Sequence, residues 1–117
     1  MSESNGYATT ADVFASCNVK RFADIEVQGH QFCVTNWTSR ELERYNTANR
    51  KKENRLIANE RIIANCWVDK ATHELVLTGV DDIDRMRDMD AGFVVEFAAA
   101  CMKHLGLEID DENPEGN

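Results

Sequence analysis

The chain of 117 residues is 43% hydrophobic and 29% charged, and its formal net charge is −8. A chain of this length suits one domain and is too short for two. It has no apolar run of about 20 residues, which a membrane-spanning helix needs, and its charge opposes general binding to nucleic-acid phosphates. We expect one cytoplasmic domain over residues 11–107, with disordered polar segments at residues 1–10 and an acidic disordered tail at residues 108–117.

The first predicted element is a short helix in the segment TADVFASC, where Thr10 or Asp12 offers the N-cap. From residue 21 the apolar residues alternate, first in FADIEV and then in HQFCVTNW, and Gln28-Gly29 between the two runs suits a tight turn. This pattern predicts a β-hairpin near residues 21–37.

Two helices are predicted in the middle of the chain. The segment TSRE is typical of a capping box, in which Thr38 and Glu41 satisfy each other's backbone donors, so a helix should begin there. A second helix is predicted from about Lys51 to Trp67, because its apolar residues fall on one helical stripe: Leu56, Ile57, Ile63, Ala64 and Trp67. The segment VDKATHELVL then suits a loop or a minor hairpin.

Two further helices are predicted near the C-terminus. The aspartates of DDIDRM fit the first turn of a short helix capped by Thr78, since negative charge is favoured at that end of the helix dipole. The last helix should run from Ala91 to Leu105, with Asp90 as its cap and Gly106 at its end. Its apolar face consists of Val94, Phe97, Ala98, Cys101 and Leu105. These elements predict a mainly α fold of the α+β class, a short N-terminal β-hairpin followed by a small bundle of three to four helices.

Charge is distributed unevenly along the chain. Residues 38–61 contain seven basic and four acidic side chains, whereas residues 62–117 contain four basic and thirteen acidic ones. A basic patch on one copy therefore complements an acidic patch on the next, and such a heterologous contact need not close into a ring. The side chains predicted to mediate this self-association are Arg50, Lys51, Lys52 and Arg55 on one side and Asp81, Asp82, Asp84 and Asp88 on the other.

Spacing argues against metal and catalytic chemistry. The run DDIDRMRDMDAGFVVE has the composition of a calcium loop, but both EF-hand frames place arginine, methionine or alanine at ligand positions. His30 with Cys33, and Cys101 with His104, have zinc-ligand spacing, yet the first pair lies in a predicted strand that turns the two side chains to opposite faces. The four cysteines are expected to be free thiols. No phosphate loop or nucleophile motif is recognisable, so we expect no enzymatic activity, metal or cofactor.

After the strand pair come the segments WTSRELERY, NRLIANERIIANCWVDKATHELVLTGVDDIDRM and MDAGFVVEFAAACMKHLGLE. In this order they resemble the tail assembly chaperones of long-tailed bacteriophages. The resemblance covers roughly residues 20–107 and depends on patterns of apolar and acidic positions.

The resemblance implies a helper that is absent from the finished virion and works in the host bacterial cytoplasm. It would coat the tape-measure protein, keep it soluble, help to recruit the major tail protein, and assemble into open-ended spirals. Apolar side chains beside the main stripe of the last helix are the expected contacts with the tape measure: Val95, Met102 and Leu107. The alternative is a small cytoplasmic adaptor or regulator that binds another protein or nucleic acid. The net charge of −8 opposes binding to nucleic acid.

Overall fold

The computed structural model describes residues 6–17 and 20–107. Within them the chain forms six helices and three strands, in the order α1 (Thr10–Ser16), β1 (Phe22–Val27), β2 (His30–Thr35), α2 (Ser39–Ala48), α3 (Lys52–Arg55), α4 (Ala58–Ala64), β3 (Trp67–Val68), α5 (Asp82–Arg87) and α6 (Ala91–Leu105). The predicted α+β class is confirmed. None of these helices is long and apolar enough to cross a membrane.

The predicted hairpin is present. β1 and β2 pair in antiparallel register with Val27 opposite His30. Gln28 and Gly29 in the turn have φ angles of 51° and 86°, which the twist of a two-residue hairpin requires and which glycine adopts without strain. Every second side chain of β1 faces the core, as the alternating pattern predicts.

A third strand extends this hairpin, so the sheet has the order β1-β2-β3. The prediction of a single helix from Lys51 to Trp67 is wrong: the segment divides into α3 and α4, and Trp67 begins β3 instead. Leu56, expected on the apolar stripe, is 70% exposed. Of the two alternatives for the next segment, a loop or a minor hairpin, the structure favours the minor hairpin, because the chain turns after β3 and Val68 bridges to Leu75.

Helix ends agree with the sequence at three positions. Thr38 and Glu41 form the capping box of α2, with N–H to side-chain oxygen distances of 3.1 and 2.8 Å. Asp90 Oδ2 accepts a hydrogen bond from Phe93 N–H at 2.9 Å and caps α6. Gly106 ends α6 with a left-handed φ of 77°, a conformation that glycine adopts freely.

Two other caps differ from the prediction. The cap of α1 is Thr9, whose Oγ1 accepts the N–H of Asp12 at 3.1 Å, so neither Thr10 nor Asp12 has that role. Thr78 does not cap α5, because Asp81 is at the N-cap position and no side chain caps the helix. The preceding loop is closed by Asp82, whose Oδ2 accepts the N–H of Gly79 at 2.8 Å. Disorder is predicted for residues 1–10 and 108–117, and of these residues 1–5 and 108–117 lie outside the described residues. Residues 6–10 are described, and Thr10 is the first residue of α1.

The core lies between the sheet and two helices. α6 contacts β1, β2 and α4, and α4 also contacts α5. The described buried residues that form this core are Val27, Val34, Ile62, Ile63, Cys66, Met86, Val94, Phe97, Ala98 and Cys101. The predicted bundle of three to four helices is not confirmed, since α1, α2 and α3 contribute no buried residue and the sheet supplies one side of the core.

Candidate functional site

An open groove of about 520 Å³ lies beside the first half of α6. It draws residues from β2, α4, β3, α5 and α6 and from the loop that precedes α5. We call it the apolar groove. Its apolar lining is Phe32, Ile63, Trp67, Leu77, Met86, Met89, Phe93, Val94 and Phe97, with His30, Asp82 and Arg85 as its polar members.

Aromatic rings form the interior of the apolar groove. The ring of Phe32 stacks on Phe97 with centroids 4.2 Å apart and meets Trp67 edge-on at 5.1 Å. Phe93, one turn before Phe97 on α6, meets it at 5.8 Å. Such arrangements are favourable for aromatic pairs. The rings therefore hold one another in place and give the groove a firm apolar wall.

Two methionines complete the apolar groove. Met86 is buried, whereas Met89, three residues later, is 46% exposed. Methionine side chains are flexible and polarisable, and they adapt to apolar partners of different shape. The charges in the groove are paired, with Arg85 Nη1 3.2 Å from Asp82 Oδ1. The groove is thus suited to the apolar face of a partner helix.

None of the partner-binding residues predicted from sequence lines the apolar groove. Val95 is 54% exposed on α6, Met102 packs partly against the core, and Leu107 is half-buried after donating its N–H to the carbonyl of Met102 at 3.0 Å. The sequence signal that points to the groove is the pair Phe93 and Phe97, which are four residues apart and therefore share a helix face.

The two charged sets predicted to mediate self-association lie on different elements. Arg50, Lys51 and Lys52 are exposed at the α2–α3 turn, while Arg55 Nη1 donates to the carbonyl of Arg50 at 3.0 Å and stabilises that turn. Asp81, Asp84 and Asp88 are exposed at α5, and Asp82 is half-buried. Among the described residues no salt bridge joins the two sets, so the chain does not neutralise one with the other.

A second cavity, also of about 520 Å³, lies on the opposite face of the sheet. Adjacent strand residues point to opposite faces, so Val68 lines this cavity while Trp67 lines the apolar groove. We call this second cavity the basic pocket. Its charged and aromatic members are Lys20, Arg44, Arg61, Glu41, His73, Phe22, Trp37 and Tyr45.

Aromatic contacts shape the basic pocket. Phe22 and His73 stack at 3.7 Å, and Trp37 lies 5.1 Å from Tyr45. The guanidinium of Arg61 lies over the Tyr45 ring, 4.7 Å from its centroid, a favourable cation–π geometry. Trp37 is fixed by donating its indole N–H to the Asn65 carbonyl at 2.9 Å.

Glu41 is the single carboxylate among the described residues that line the basic pocket. Partial burial raises the pKa of Glu41, but the hydrogen bond from Lys20, the backbone N–H of Thr38 and the positive charges of Lys20 and Arg44 outweigh it. The pKa therefore lies below its ordinary value of 4.5. Lys20 Nζ is 2.6 Å from Glu41 Oε1, so this carboxylate is already neutralised.

Three of the four cysteines are buried, and all are free thiols. The contact between the thiols of Cys66 and Cys101, together with burial, raises the pKa of Cys101, which disfavours the reactive thiolate. His30 is exposed and Cys33 buried on the same strand, so this pair does not converge. Over residues 6–17 and 20–107 there is no cluster of three or more His, Cys, Asp or Glu side chains placed to hold a metal ion.

A comparison of the chain with protein-family models, with curated proteins and with solved structures gives no match.

Proposed function

We propose that the protein is a tail assembly chaperone of a long-tailed bacteriophage, which binds the tape-measure protein in the apolar groove. The single observation that carries the proposal is this groove, an open aromatic and methionine-lined surface without an unpaired charge in its lining. A tape-measure protein is a long helical chain with apolar faces, and such a face is the ligand that a groove of this chemistry suits. The order of sequence segments gives independent support.

In this role the protein works in the host cytoplasm by binding alone. It covers apolar tape-measure segments until major tail protein subunits replace it, and self-association allows successive copies to cover a long chain. The charged sets at the α2–α3 turn and at α5 are the proposed contacts between copies.

The test is co-expression with the tape-measure protein encoded by the same phage or prophage. We expect the protein to keep the tape measure in the soluble fraction and to co-elute with it. Met89→Glu should weaken binding about tenfold or more, because a carboxylate at the groove would lie unpaired against an apolar helix. Val80→Glu is the matched control, since Val80 is 97% exposed and lies outside the groove.

Two outcomes contradict the proposal in different ways. A tape measure that stays insoluble and does not co-elute with the folded protein overturns the chaperone function and favours the adaptor alternative. Retained binding by Met89→Glu, with loss in Val95→Glu, instead moves the contact to the exposed face of α6 that the sequence predicts.

A further inference from the structure

The basic pocket has an excess of positive charge inside an acidic protein. Lys20 is paired with Glu41 at 2.6 Å, which leaves Arg44 and Arg61 as the cations of the pocket. Among the described residues neither arginine lies within salt-bridge distance of a carboxylate. Arg61 instead contacts neutral groups, the Asn49 amide oxygen and the Tyr45 ring.

This arrangement suits carboxylates of a peptide. Guanidinium groups bind carboxylates with two parallel hydrogen bonds. Trp37 and Tyr45, whose rings lie 5.1 Å apart, form one aromatic wall that offers apolar contact to such a chain. At about 520 Å³ the pocket has room for several side chains.

A strongly acidic segment of the same chain follows Leu107, the last described residue. Residues 108–117 contain five acidic and no basic side chains. They follow α6, whose last turn lies against the segment before β1: His104 Nε2 is 3.3 Å from the carbonyl oxygen of Arg21. Lys20, the neighbour of Arg21, lines the pocket.

We propose that the acidic segment of residues 108–117 binds the basic pocket of its own chain, with its carboxylates on Arg44 and Arg61. Ten residues span up to about 33 Å when extended, which is ample for a pocket whose rim adjoins the last turn of α6. Because the segment is tethered, its effective concentration at the pocket is of millimolar order, so weak ionic contacts are sufficient.

The experiment compares ¹H–¹⁵N NMR spectra of the full-length protein with those of a full-length variant whose tail is neutral, E108Q/D110N/D111N/E112Q/E115Q. The indole N–H of Trp37 reports on the basic pocket and that of Trp67 on the apolar groove. We expect neutralisation of the tail to shift the Trp37 indole and the Arg44 amide and to leave the Trp67 indole unchanged. Addition of about 1 M NaCl to the wild type should produce the same shifts, since the screening length falls to about 3 Å.

Charge reversal identifies the cation. In an Arg44→Glu background, neutralising the tail should shift the Trp37 indole much less than in the wild type, because one of the two cations proposed to bind the tail is replaced by a carboxylate. Arg40→Glu is the matched control: it lies one turn earlier on α2, is exposed and does not line the pocket, so the tail effect should persist.

Unchanged pocket resonances after tail neutralisation at low salt would overturn the proposal, as would a tail effect that Arg44→Glu leaves at its full size. A shift that grows with protein concentration would assign the pocket to the tail of another copy and contradict binding within one chain. These outcomes are separate from the chaperone test, because the pocket and the groove share no residue.

Discussion

Glu41 connects two parts of the chain, the start of α2 and the segment before β1. Its carboxylate accepts the backbone N–H of Thr38 and the ammonium of Lys20. Lys20 in turn donates to the Asn36 carbonyl at 2.9 Å. A neutral side chain at this position keeps a hydrogen-bond acceptor and loses the ion pair, so Glu41→Gln measures the charge alone.

We expect Glu41→Gln to lower the free energy of unfolding at pH 7 by a few tenths of a kcal/mol to about 1 kcal/mol, because the ion pair is partly solvated. Folding lowers the pKa of Glu41, so the ionised carboxylate stabilises the fold at pH values above its ordinary pKa of 4.5. That contribution disappears as the pH falls through the lower folded pKa. Urea unfolding at pH 7 and pH 3 measures the difference.

The control for this prediction is Glu43→Gln on the same helix. Glu43 is exposed and makes no salt bridge or side-chain hydrogen bond among the described residues, so its substitution should have little effect at either pH. A Glu41→Gln loss of equal size at pH 7 and pH 3 would show that the ion pair does not stabilise the fold.

The helix α1 is attached to the rest of the fold by little buried surface. None of its residues is buried, and Phe14 is 69% exposed. Its ends are satisfied locally, with Thr9 capping the first turn and Ser16 Oγ donating to the Asp12 carbonyl at 2.7 Å. Local hydrogen bonds therefore account for this element.

From this difference in burial we predict that Phe14→Ala changes the free energy of unfolding by less than about 0.5 kcal/mol. The same truncation at Phe97, which is 2% exposed, should cost about 3–5 kcal/mol. Urea denaturation of both variants in dilute solution measures the two values. A cost above about 1 kcal/mol for Phe14→Ala would mean that α1 packs against the fold.

Elements with strong local signals were predictable from the sequence. The capping box of α2, the hairpin turn at Gln28-Gly29 and the whole of α6 depend on residues close in the chain. β3 was not, because a strand of two residues is too short to show alternation and Trp67 also fits the helical stripe that precedes it. Pairing with β2 decides its conformation, and that pairing joins residues more than thirty positions apart.

At the scale of the whole molecule, the sites were less predictable than the elements. The apolar groove needs β2, β3, α5 and α6 together, and its aromatic contacts link Phe32 to Phe97 across the chain. The sequence predicts the apolar face of α6 but does not show which part of that face the sheet leaves open. For this reason the sequence analysis names Val95 as a partner contact and omits Phe93, which lines the groove. The sheet also separates the groove from the basic pocket, which allows one small domain to present two surfaces of different chemistry.

Self-association is the property of the whole molecule that charge layout predicts. Arg50, Lys51 and Lys52 are exposed, and their reversal to glutamate should reduce the concentration-dependent growth of the weight-average mass without unfolding the domain. Growth of the wild type should itself weaken as salt is added, because exposed charges are screened. Multi-angle light scattering over a range of concentration and salt measures both effects.

The reversal also makes the net charge more negative, and this alone opposes association. A control with the same change in net charge, Arg40→Glu, Lys70→Glu and Lys103→Glu, uses exposed residues outside the predicted basic set. If contact between the α2–α3 turn and α5 of the next copy drives growth, the control should associate more strongly than the reversed turn. Equal loss in both variants would assign the effect to overall repulsion, and a wild type that stays monomeric at every concentration would exclude open-ended assembly by this chain alone.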